Sequence, residues 1–235
     1  MGFWIDTLCV PIKDDEARKQ AISKMRNIYE SADRVLLDSW VQGLPLSADI
    51  IEKGSRHYLS NWQNRLWTLQ EGVLAHSLFI QFKNAPQSLR SLDKDLDEDL
   101  KSRPELLYCR GLGVILTSAP LFSLMGISES FFPPSEVLLH LVAGVVNRTT
   151  TRKSDETICL AQILAIDPTP LLDIPGKKEG QLTEEEKHVR EQQACEKRME
   201  KFLEKVGGFE QKIVFCDLSR LKTDRFSWAP RSFLD

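Results

Sequence analysis

Glu71 is the residue whose type and setting point most directly to chemistry. It closes the block Trp62-Gln63-Asn64-Arg65-Leu66-Trp67-Thr68-Leu69-Gln70-Glu71, dense in aromatic and charged side chains. The spacing predicts one helix over 61–75. At about 100° per residue, Trp62, Leu66, Leu69 and Val73 share the face that packs on a core. Glu71 then projects from the opposite side, near Asn64, Trp67 and Leu74. An ordinary solvated face does not set a tryptophan and a leucine around a carboxylate. Two arrangements satisfy this pattern. In one, Trp67 packs beneath further chain and Glu71 pairs with a surface arginine. In the other, Trp67 and Leu74 wall a pocket that holds the carboxylate. Arg65 carries a guanidinium suited to bidentate anion contacts, but its position to one side of the helix favours an ion pair.

Asp6 is the second candidate. The run Phe3-Trp4-Ile5-Asp6-Thr7-Leu8-Cys9-Val10 reads as a buried strand over 3–6 that brings Asp6 to its carboxyl end. Ligands of open α/β sheets sit at that end. Asp6 there either contacts a ligand or caps the helix that follows. Other chemistries find less support. Cys9 lies in an apolar context expected of an inert buried thiol, and nothing in the sequence brings it to His57. The four histidines are scattered without metal-ligand spacing. No phosphate-binding G-x-x-x-x-G-K-[ST] loop occurs. Gly111-Leu112-Gly113 lacks the strand and helix that a dinucleotide fingerprint needs.

The elements that must position these residues follow from periodicity. A helix is expected over 14–32, opened by Asp14, Asp15 and Glu16 and striped by Ala21, Met25, Ile28 and Ala32. Val35-Leu36-Leu37-Asp38 reads as a short buried strand. Ser47 is placed to cap a helix over 48–58, and Ser77 to Phe82 form a further strand. Strands 3–6, 35–38 and 78–82 are thus expected as neighbours in one mostly parallel sheet, joined by right-handed crossovers. Beyond Pro86 the texture turns helical, over 88–101, 105–117, 134–147 and 155–165, with one short strand near 211–217. Asp93 to Asp99 form an acidic, solvated face. Pro168 to Gly180 form a connector. Thr183-Glu184-Glu185-Glu186 has capping-box spacing and starts a charged helix to about 206, ended by Gly207-Gly208. Its sparse apolar positions, Val189, Phe202 and Leu203, describe a surface helix. Trp228 is expected to dock a structural tail. The organisation is an α/β core over 1–85 and a mainly helical extension over 86–235 packed on it.

A chain of 235 residues with a formal charge of -3 lacks the basic face of a dedicated nucleic-acid binder. No apolar run reaches the roughly 18 residues of a membrane span. Its greasiest stretch, Leu138 to Val146, reads as a buried helix. Five cysteines without C-x-x-C spacing fit a reducing interior, so the expected location is the cytoplasm.

These blocks resemble the fungal heterokaryon incompatibility (HET) domain. Trp4 to Val10 follow its W-I-D-x-L-C-I strand, Ile28-Tyr29 to Ala32 its I-Y-x-x-A helix end, and Arg65 to Glu71 its R-x-W-T-x-Q-E. Thr149 to Ala161 and Arg225 to Leu234 look like later segments of large HET-containing proteins. HET domains in turn resemble Toll/interleukin-1 receptor (TIR) domains, so the resemblance implies a flavodoxin-like parallel sheet flanked by helices. Some TIR domains cleave NAD at the nicotinamide–ribose bond with a glutamate at the W-x-x-x-E spacing of Trp67 and Glu71. By resemblance, then, Glu71 is the catalytic carboxylate. Asp6, Trp67 and Arg65 line its substrate site, NAD is a substrate rather than a bound cofactor, and no metal takes part. The implied role is fungal non-self recognition and programmed cell death, a form of innate immunity. The alternative is a non-catalytic assembly module, self-associating or docking another incompatibility protein. HET domains usually open with a Y-x-A-L-S-Y-x-W-G strand, for which no room precedes Phe3. The expectation is an N-terminally truncated sheet with an uncovered edge prone to pairing, hence oligomers and an inactive chain.

Overall fold

The computed structural model describes residues 4–37, 41–103, 133–145, 148–175, 183–209, 213–214 and 217–234. They fall into two compact units. The first comprises residues 1–31, 133–139 and 150–235, and the second 32–132 and 140–149.

In the second unit a three-stranded sheet has the order β1 (Val35–Leu37), β2 (Leu78–Gln81), β3 (Pro86–Ser88). β1 and β2 run parallel, with Val35 opposite Leu78 and Leu37 opposite Ile80. β2 and β3 run antiparallel, with Phe79 opposite Ser88. Alternation decides the buried face: Leu37, Leu78 and Ile80 are buried, while Leu36 is 58% exposed. β3 escapes a periodicity reading because it is only three residues long and opens with a proline. Proline is tolerated there because an edge strand can lack one ladder donor.

The α/β class is therefore correct, with a small mixed sheet. The strand expected over 3–6 is not part of it. Ile5 has extended dihedrals, but Asp6–Cys9 form a short helix, α1. The Ile5 carbonyl accepts from the N–H groups of Leu8 and Cys9 rather than from a neighbouring strand. Ile5 and Leu8 are exposed, so apolar composition alone misled: without a ladder partner, the local turn captures the backbone groups. Cys9 is likewise exposed, which corrects its reading as a buried thiol.

The connection from β1 to β2 carries α3 (Ile50–Tyr58), α4 (Asn61–Asn64) and α5 (Trp67–Leu74). Asp49, not Ser47, caps α3, accepting from Ile51 N at 2.9 Å and Glu52 N at 3.3 Å. Gly54 lets α3 lie close to α6 (Leu89–Ser102), since a Cβ there would meet Leu96 Cδ2 at 3.1 Å. Ser88 caps α6 through Ser91 N. Leu89, Leu92 and Leu96 are buried, and Asp95, Asp97 and Glu98 face solvent.

The first unit begins with α1 and α2 (Asp15–Ser31). Asp14 Oδ1 accepts from the N–H groups of Glu16 and Ala17. The buried stripe is Ile22, Met25 and Tyr29. It is rotated from the expected one, of which Ala21, Ile28 and Ala32 stay half-buried. Arg26 reaches the carbonyls of Gln162 and Ile163, which end the helix Glu156–Ile163, a natural place for a cation. Thr183 and Glu186 form the expected capping box of the helix Glu184–Val206, and Gly207 at φ 81° closes it. Its first half is largely exposed, while its second half buries one face and leaves Lys197, Glu204 and Lys205 exposed. Ala194, Arg198, Met199, Phe202, Leu203 and Val206 are buried, so its second half contributes to the core rather than lying on the surface throughout. The Pro168–Gly180 connector holds a short helix, Thr169–Leu172. Of the region 211–217, Ile213 and Val214 lie in a 3-10 turn, and the rest except Asp217 is outside the described residues, as are 105–117, Gly111 and Gly113.

Glu156, 3% exposed, anchors the C-terminal tail by accepting from Phe233 N at 2.6 Å and Ser232 Oγ at 2.8 Å. Phe233 is fully buried and Trp228 packs on Phe209 and Phe226. Glu156→Ala should therefore cost about 2 kcal/mol by orphaning a buried N–H. Urea unfolding followed by tryptophan fluorescence measures it, and an unchanged midpoint would refute the anchor. Among the described residues no helix is long and apolar enough to cross a membrane.

Candidate functional site

The expected helix over 61–75 is two helices, broken at Arg65 and Leu66. Arg65 is extended, with φ -87° and ψ 136°, and forms a parallel bridge with Thr149. Leu66 N donates to Thr149 O at 2.9 Å, and Thr149 N to Asn64 O at 2.6 Å. A segment more than 80 residues away along the sequence thus takes backbone bonds that a continuous helix would have kept. The core face survives the break: Trp62, Leu66, Leu69 and Val73 are all buried. So does the local spacing of α5, where Trp67 and Glu71 lie one turn apart and are both half-buried.

Arg148 holds the break in shape. It is 6% exposed, and its Nη1 donates to Arg65 O at 2.8 Å, Thr68 Oγ1 at 3.1 Å and Trp62 O at 3.3 Å. Its Nε donates to Gly144 O at 3.2 Å and its Nη2 to Gln63 Oε1 at 3.3 Å. The guanidinium also lies 5.6 Å from the Trp62 ring centroid. Thr68 Oγ1 donates to Arg65 O at 2.6 Å and to Trp62 O.

His57, 1% exposed, extends this network. Because Gln63 Oε1 accepts from Arg148, the Gln63 amide nitrogen faces His57 Nε2, at 3.0 Å. His57 Nε2 must then accept, which puts the imidazole proton on Nδ1. Nδ1 has no hydrogen-bond partner among the described residues. Burial, reinforced by the Arg148 charge, pushes the imidazole pKa down to about 4. The ring stacks on Trp62 at 5.9 Å between centroids and 28° between planes.

Glu71 meets this cluster through Trp62, whose indole Nε1 donates to Glu71 Oε2 at 3.0 Å. The sequence pointed to Trp67 as the tryptophan beside the carboxylate. The indole that holds it is Trp62, placed by the break at Arg65. Arg65 is exposed, and its backbone bridges Thr149. Asp6 is half-buried at the start of α1 and belongs to the first unit, Glu71 to the second. His57, Gln63 and Arg148 were not singled out as a group beforehand. Their one advance sign is Arg148, a lone cation directly after an apolar helix.

Residues 2–43 match the heterokaryon incompatibility protein (HET) family. The match bears out the resemblance over that segment. No curated protein and no solved structure matches the chain. The HET segment contains α1, α2, β1 and Asp6, and ends before the Trp62–Glu71 block. Among the described residues no group of three or more His, Cys, Asp or Glu side chains could hold a metal ion. The chemistry available around Glu71 is that of one oriented carboxylate beside aromatic surface. It can stabilise developing positive charge or accept hydrogen bonds from hydroxyl groups.

Proposed function

We propose that this chain is a heterokaryon incompatibility-type protein acting in fungal non-self recognition and cell death, with Glu71 as the carboxylate of a TIR-like NAD-cleaving site. The HET match supports the role, and the indole-held, half-buried Glu71 carboxylate supports the chemistry. Cleavage at the nicotinamide–ribose bond expels a neutral nicotinamide from a cationic glycoside, so no general acid is needed. The remaining demand is an anion near the developing oxocarbenium, as in glycoside hydrolysis. Trp67, one turn from Glu71, supplies apolar surface for the leaving ring, and Arg65 is a further substrate contact of this reading.

Purified chain at high concentration should release nicotinamide from NAD. Glu71→Ala and Glu71→Gln should each lower the rate by about 100-fold or more, because neither supplies the negative charge. Full activity in either variant rules Glu71 out.

A second reading, signalling by assembly in the cytoplasm without catalysis, is favoured by one observation. Ile5, Leu8 and Ile12 are 43%, 75% and 78% exposed, all within the HET segment. Light scattering of Leu8→Asp beside wild type tests it: assembly through this patch predicts a fall in oligomer mass, and an unchanged mass counts against it.

A further inference from the structure

Trp62 is 4% exposed, and a buried indole needs an acceptor for its single donor. That acceptor is Glu71, reached from α4 across the break in the chain rather than from within α5. The indole cannot turn freely. His57 stacks on it, the Arg148 guanidinium lies 5.6 Å from its centroid, and its own carbonyl accepts from Arg148 and Thr68. Gln63 links the two polar partners, holding His57 on one side and Arg148 on the other. We infer that Trp62 is the positioning residue of this site: its indole N–H sets the rotamer of the Glu71 carboxylate, and His57, Gln63 and Arg148 set the indole.

The physical advantage is preorganisation. A carboxylate that stabilises an oxocarbenium must already point at the reacting carbon when charge develops there. A glutamate on a helix surface samples several rotamers. A donor from a fixed ring narrows that choice, because the indole N–H satisfies only those rotamers that bring a carboxylate oxygen to it. Trp67 lies on the same helix as Glu71, so it can wall the site but cannot tie α4 to α5.

The inference rests on Glu71 being the NAD-cleaving carboxylate, and the test separates the two claims. Trp62→Phe keeps an aromatic ring, though a smaller one, and removes the N–H. Its kcat for NAD should fall about tenfold with KM little changed. In wild type, the Trp62 indole N–H resonance should shift as Glu71 titrates, and in Glu71→Gln it should not. An inactive Glu71→Gln beside a Trp62→Phe enzyme with wild-type kcat overturns the positioning role. An indole resonance indifferent to pH in wild type overturns it as well, whatever the activity and even if the variant fails to fold. Absence of NAD cleavage by wild type instead overturns the catalytic reading of Glu71, and the indole titration then decides the contact alone.

Discussion

Arg148→Met should destabilise the protein by about 3 kcal/mol or more, the largest effect expected of any single substitution considered. Methionine fills similar space but donates nothing. The carbonyls of Trp62, Arg65 and Gly144 and the Gln63 amide would each lose a charge-assisted donor in a buried or part-buried setting. Replacing one partner of a buried set costs more than the net worth of the bonds, because the groups left behind remain desolvated. For a chain of this size the melting temperature should fall on the order of 10 °C. Arg148→Lys should recover little, since one ammonium cannot span acceptors arranged for a planar fork. Arg65→Ala, at an exposed side chain, should stay within about 0.5 kcal/mol. Calorimetry or chemical unfolding measures all three. An Arg148→Met protein as stable as wild type would show that the break at Arg65 is held by other means.

The second large effect is acid sensitivity through His57. Its folded pKa is pushed down to about 4 from the usual 6.5 by burial, with the Arg148 charge adding to the shift. Between those values the unfolded chain binds a proton that the folded chain refuses, so stability rises with pH across this window and is lost as pH falls. The full difference is about 3 kcal/mol, present above about pH 6.5 and gone near pH 4, below which this residue adds no further change. His57→Gln keeps an acceptor and does not titrate, so it should flatten the pH dependence. Urea unfolding at about pH 7 and about pH 4.5 gives the comparison. Equal acid losses in wild type and His57→Gln would assign the effect elsewhere. In Arg148→Met the imidazole should titrate at higher pH than in wild type, as read by NMR, because the neighbouring cation is gone.

The α/β class, helices α2 and α6, β1, β2, the capping box at Thr183 and the core face of Trp62, Leu66, Leu69 and Val73 were all legible in the sequence. They rest on short-range causes: apolar spacing, alternation and side-chain capping within a few residues. The HET resemblance of the opening segment was legible for the same reason, being carried by contiguous residues. Where the sequence misled, a long-range partner was decisive or lacking. Residues 3–6 have strand composition, but a strand exists only if another pairs with it, and here the Ile5 carbonyl turns back to Leu8 and Cys9. The helix Glu184–Val206 reads as a surface element, yet Arg198 is buried because the Ser154 and Ile174 carbonyls and Asp155 receive it. The helix is interrupted at Arg65 only on folding, because the competing hydrogen bonds come from Thr149. That break gives Glu71 an indole from Trp62 rather than Trp67 as its partner. Local spacing is what singles out Glu71 as a carboxylate set beside large apolar side chains. That the Trp62 indole reaches this carboxylate follows from backbone groups and an arginine that meet only after folding, and no local periodicity encodes such meetings.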